Sequence, residues 1–155
     1  MKKKIILSDE VIKEIAGHLD CGNNCWYHIP TGEMLWARNR DREFELEGET
    51  WDEVFDEIDR KRSECVPFEC LETHESFRIM ESFIEEVNDN SLRVRLITAL
   101  NNRKPFRNFK AVIDNSNYRQ AWFAFKDKWY IKHVKDEIEW YNRKQEEDDV
   151  VDEAE

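Results

Sequence analysis

Apolar residues in this chain fall into a series of helical stripes, interrupted early by one stretch that alternates. Val11, Ile12, Ile15, Ala16 and Leu19 recur at the three- and four-residue steps of one helix face. Ser8 stands where an N-cap belongs, and Asp9 and Glu10 suit the positive end of the helix dipole. After the polar break Asp20-Cys21-Gly22-Asn23-Asn24, the period changes to two. Cys25, Tyr27 and Ile29 alternate with Trp26 and His28, and Met34 and Trp36 with Leu35 and Ala37. Pro30-Thr31-Gly32 lies between the runs, and its glycine can supply the left-handed residue of a short loop. The pattern predicts a β-hairpin over 25–36 that packs on a helical body and buries Trp26 or Trp36. Phe44 and Leu46 suggest a third, edge strand.

Helical spacing then returns. Thr50 and Glu53 have the spacing of a capping box, and Trp51, Val54, Phe55 and Ile58 form the stripe of a helix ending near Ser63. Residues 60–70, with Pro67, read as an extended connection. From about Thr73 four helices follow in close order. Phe77, Met80, Phe83, Ile84 and Val87 mark the first, and Leu92, Leu96, Ala99 and Leu100 the second. Phe106, Phe109, Val112 and Ile113 mark the third, with Pro105 at its first position, where no N–H is needed. In the last helix Tyr118, Trp122, Phe125 and Trp129 recur at steps of four, three and four, and Ile138 and Tyr141 extend the face. The predicted class is α+β: a small antiparallel β-hairpin or sheet in the N-terminal half, packed on a mostly helical C-terminal body. Residues 1–144 read as a single globular domain.

Composition adds a charge pattern to this picture. Hydrophobic residues make up 40% of the 155, enough for a folded body, so the 38% that are charged describe its solvated surface. The net charge of −11 is spread unevenly. Residues 1–72 hold 10 basic and 18 acidic side chains, whereas residues 91–135 hold 11 basic and 2 acidic. The last stretch, 145–155, has 7 acidic side chains and no basic one, and reads as a disordered acidic tail without effect on stability. Lys2, Lys3 and Lys4 precede only three apolar residues, too few for a signal core or a membrane span. The expected compartment is the cytoplasm, with the four cysteines as thiols.

Several segments together resemble a known family. Tyr27 to Met34 with its Thr31-Gly32-Glu33 turn, Ile79 to Val87 and Ala99 to Lys110 come in a recognisable order, followed by Trp122 to Asp127 and Glu139-Trp140. In that order and spacing they are similar to the bacterial family catalogued as uncharacterised protein family 0158. The cysteines and the acidic tail lie outside the pattern. The resemblance implies a small soluble bacterial protein and carries no established activity.

The chemistry of the residues themselves narrows the choice. Cys21-x3-Cys25 and Cys65-x4-Cys70, with His18, His28 and His74 nearby, fall within a loose zinc spacing, but the pairs lack the tighter two-residue step. No metal and no cofactor are expected. No nucleophile elbow or phosphate-cradling glycine loop is present, and Glu85-Glu86 and Asp136-Glu137 are neighbours that diverge by about 100° on a helix. His133 reads as a surface residue. The strongest signal is basic: Arg93, Arg95, Arg103, Lys104, Arg107, Lys110 and Arg119, with Phe106, Phe109 and Tyr118 among them. This set is the candidate face for nucleic acid or another anion, since such neighbours can neutralise phosphates and stack on bases. Trp129 and Tyr130, adjacent on one helix, cannot both face one core line and form the candidate patch for a protein partner. The reading favoured is a small, non-enzymatic, cytoplasmic interaction module with a protein partner and no membrane contact. RNA or single-stranded nucleic-acid binding through 91–135 is the alternative; an enzyme or a zinc protein ranks below both.

Overall fold

The computed structural model describes residues 3–39 and 52–153. The strand expected around Phe44 and Leu46, and the Thr50 and Trp51 positions of the second helix, lie outside them. The chain divides into two compact units, Met1–Cys70 with Tyr130–Glu155, and Leu71–Trp129, where the sequence pattern had suggested one domain.

In the first unit, α1 (Asp9–Asp20) starts as its sequence indicates, with the Ser8 hydroxyl accepting from the Val11 N–H at 3.3 Å. Three antiparallel strands follow, β1 (Asn23–His28), β2 (Met34–Arg38) and β3 (Cys65–Phe68), in the order β2-β1-β3. The hairpin closes through backbone bonds from His28 N–H to Glu33 O and from Gly32 N–H to His28 O, both 2.8 Å. Gly32 takes φ +72°, a conformation most residues avoid. The strand β3 lies within the segment read as an extended connection. It accommodates Pro67 because β3 pairs on one side only, with β1, and an edge strand tolerates proline.

Both faces of the central strand are covered, so burial along β1 does not alternate and Cys25 and Trp26 are both buried, whereas β2 keeps its alternation. Trp26 stands opposite Leu35, and the two form a core with Ala37, Cys65 and Ile58 of α2 (Asp52–Lys61), with Val54 and Phe55 packed against it. Cys25 stands opposite Trp36 and Phe68 on the other face, the side of α1. There His18 stacks on Trp36 at 4.6 Å. Of the two tryptophans, Trp26 is buried and Trp36 is 40% exposed. The elements α1 and α2 pack against the hairpin within this unit.

The second unit holds α3 (Thr73–Glu85), α4 (Asn90–Leu100), α5 (Pro105–Asp114) and the start of α6 (Arg119–Glu153). Its centre is aromatic. Phe83 and Phe109 sit tilted or edge-on to Trp122 at 5.2 and 5.0 Å, geometry that suits the ring quadrupoles. Asp89 caps α4, accepting from Leu92 N–H at 3.1 Å. Pro105 opens α5, and Lys104 before it is left-handed at φ 56°. The architecture is thus α+β, with a three-stranded antiparallel sheet in the N-terminal half and helices mostly C-terminal.

The helix α6 departs from expectation at its end. Residues 145–153, predicted as disordered, continue it to Glu153. The physical reason is cooperativity: extending a helix already formed avoids the cost of nucleation, which an isolated acidic segment would bear. Further back, Asn142 grips the N-terminal segment before α1. Its side chain accepts from Ile5 N–H at 2.8 Å and donates to Ile5 O at 2.9 Å, while the Tyr141 hydroxyl donates to Lys3 O. Lys4 pairs with Glu146.

Candidate functional site

The helices α4 and α5 form a hairpin joined by a tight turn, and six of the seven basic candidates sit on it. Arg93 and Arg95 belong to α4, Arg103 and Lys104 to the turn, Arg107 and Lys110 to α5. All are exposed except the half-buried Arg93. No side chain among the six has an ion pair or hydrogen-bond partner among the described residues. Arg119 is different, since it bonds Asp114 at 3.2 Å and lies 4.9 Å from the centre of the Phe123 ring. It is engaged across the α5–α6 turn and does not belong with the six.

Their apolar companions are not the ones the sequence suggested. Phe109 is fully buried, and Phe106 and Tyr118 are half-buried, because the helical period turns them towards the core. On α4 two aliphatic residues take the outward side instead. Val94 is 63% and Ile97 45% exposed, three residues apart and so nearly in line along the helix. Leu92, Leu96, Ala99 and Leu100 already fill the buried side of α4, leaving this pair without a core position. Sequence reasoning missed the pair because it scored apolar residues only where they joined a stripe.

The aromatic patch at Trp129 and Tyr130 needs correction. Tyr130 is buried and Trp129 half-buried, so neither offers an open surface to a partner. The aromatic ring that does reach solvent on α6 is Trp140, 53% exposed, with the Lys144 ammonium 4.7 Å from its centre.

The cysteines and histidines are dispersed by the sheet. Cys25 and Cys65 point to opposite faces, and both are fully buried. Burial, with the Glu14 charge adding to it, pushes the Cys25 thiol up to about 12. Such a thiol is a packing group at neutral pH, not a nucleophile. Cys70 accepts from the Asn39 amide at 3.2 Å, and its backbone N–H donates to Asn24 at 2.8 Å. His28 is buried with both ring nitrogens placed, Nδ1 against the Thr31 hydroxyl at 2.7 Å and Nε2 facing Glu64 at 3.4 Å. It fastens the hairpin loop to the entry of β3. Among the described residues, the group of metal-ligand type that the fold does assemble is Glu72, His74 and Glu75, their ligand atoms within 4.8 Å of one another. They lie at the start of α3, mostly exposed, and Glu72 already faces His74 at 3.3 Å.

No described helix is long and apolar enough to cross a membrane. No curated protein and no solved structure matches the chain. The sequence profile of the uncharacterised protein family UPF0158 matches residues 3–153, nearly the whole chain, and it encompasses both the sheet unit and the α4–α5 hairpin. The chain belongs to the uncharacterised protein family UPF0158.

Proposed function

We propose that this chain is a non-enzymatic protein-interaction module whose contact surface is the α4–α5 hairpin. The observation that carries the reading is the coexistence of exposed Val94 and Ile97 with six cations that no described carboxylate neutralises. Exposed aliphatic side chains flanked by unpaired arginine and lysine suit an acidic, amphipathic protein segment. Its apolar side would cover the pair, and its carboxylates would meet the cations. A single-stranded nucleic acid would use the same cations but would also call for open aromatic faces, and the rings nearby are buried or half-buried. The proposed compartment is the cytoplasm, which the cysteines support, since none of the four is in a disulfide.

The test is a pull-down from cells of native origin, with and without nuclease, at two salt concentrations. The expected result is a protein partner that survives nuclease. It is lost with Val94→Asp and weakened by Arg103→Glu, Lys104→Glu and Arg107→Glu together, with circular dichroism showing the fold intact. Recovery of RNA or DNA that vanishes in the triple reversal would instead support the nucleic-acid reading.

A further inference from the structure

We infer that the acidic end of α6 from a second copy of this chain is a ligand of the α4–α5 hairpin. The inference rests on the protein-interaction reading above and names its partner. Three observations lead to it.

The first is charge. Residues 145–155 carry 7 acidic side chains and no basic one, while the hairpin offers six cations without a carboxylate partner among the described residues. The two stretches are oppositely charged in sequence, and each exists in every copy.

The second is the state of the acidic segment. It is helical to Glu153, so its carboxylates accumulate at the C-terminal end of a helix, where the dipole is already negative. The sequence also places Asp148 four residues before Asp152 and Asp149 four before Glu153, a like-charge spacing that weakens a helix. Glu146 of this segment pairs with Lys4. A cationic partner would relieve the repulsion and so bind the segment in the form it already holds.

The third is apolar. Val150 and Val151 interrupt the acidic run, giving it a small aliphatic component of the size that Val94 and Ile97 present on α4. An acidic segment interrupted by two aliphatic residues is the kind of ligand this surface chemistry suits.

The experiment is analytical ultracentrifugation of the full chain over a range of concentrations, at about 0.05 M and about 0.5 M salt. Self-association is expected at low salt and should weaken at least roughly tenfold at high salt, since charge pairs supply much of the attraction. Removal of residues 145–155 should abolish it, and so should the triple change Arg103→Glu, Lys104→Glu, Arg107→Glu. Should truncation disturb α6, Asp148→Lys with Asp149→Lys gives the same loss in a chain of full length. The decisive step is to mix the truncated chain with the charge-reversed chain, one of them fluorescently labelled. One retains the hairpin and the other the acidic end, so a mixed complex should form although neither associates alone. A wild-type chain that stays monomeric at low salt overturns the inference, as does association that survives loss of 145–155. If the truncated chain nevertheless binds an unrelated Glu-rich peptide containing two valines, the interaction reading stands and only the identity of the partner fails. If it binds neither, both fall.

Discussion

Cys25 shows how one residue's surroundings decide its chemistry. Its sequence neighbourhood, with Cys21 four residues away, invites a metal or redox role, but the strand turns Cys25 inward and leaves Cys21 exposed. We predict that in the native protein a thiol reagent at neutral pH labels Cys21 first, and that Cys25 and Cys65 react only on unfolding, as mass spectrometry of the modified peptides would show. A pH effect follows from the same burial. The folded thiol is held up to about 12 against an ordinary value of 9.0, so below pH 9 both states keep the proton and stability does not depend on this group. Between pH 9 and about 12 the unfolded chain loses the proton and the folded chain keeps it. Stability should therefore fall in that window, by up to about 1.4 kcal/mol per pH unit. Cys25→Ala should flatten that part of a denaturant-midpoint profile; an unchanged slope would show that the buried thiol does not cause it.

Among the elements, the short helices are specified locally and the long one is not. The caps Ser8 and Asp89 and the opening Pro105 stand in the sequence where the helices begin. Each position needs only neighbouring residues to satisfy orphan N–H groups or to avoid one. Gly17 is an exception that can be improved. It lies inside α1, and a Cβ there would meet nothing within 4 Å. Gly17→Ala should raise stability by about 0.5–1 kcal/mol, read as a higher denaturant midpoint at constant slope. Gly32→Ala makes the useful contrast, since φ +72° strains any side chain there and should lower the midpoint. In α6 the buried positions Trp122, Tyr130, Val134 and Tyr141 do not keep one stripe over its 35 residues. The step from Trp122 to the later three turns the buried side by about 100° at 100° per residue. A single period drawn along the helix from Tyr118 places Tyr130 outside the core for that reason.

At the scale of the molecule, net charge hides the feature that matters. The total is −11, yet the unit Leu71–Trp129 holds 10 basic and 8 acidic side chains, and the basic ones concentrate on one helix pair. A chain that is acidic as a whole would not ordinarily attract an acidic partner, so encounter with the partner proposed above would have to be guided by the local field of α4 and α5 within roughly a Debye length. The kinetic consequence is specific. Raising salt from about 0.05 M to about 0.5 M should slow association with an acidic partner by roughly tenfold and alter dissociation much less. Stopped-flow or surface-binding traces would separate the two rates. A dissociation rate that carried most of the salt effect would place the cations in a desolvated contact instead.

By itself the sequence determined the α+β class, the first helix with its cap, the hairpin with its Gly32 loop, and the four later helices. These depend on periods and end signals that act over a few residues. The sequence also located the basic segment, because charge is a property of composition. What only tertiary structure decided is which side of each element faces water. Cys25 and Trp26 are both buried because helices cover both faces of the sheet, a fact no alternation pattern contains. The strand β3 exists because β1 supplies backbone partners across more than thirty intervening residues, which no local pattern in 60–70 contains. Tyr130 became core while Val94 and Ile97 were left outside, because the space around each helix was already allotted by its neighbours. Local preference sets the elements; competition for a finite buried volume sets their exposed faces, and the candidate surface is made of what that competition left over.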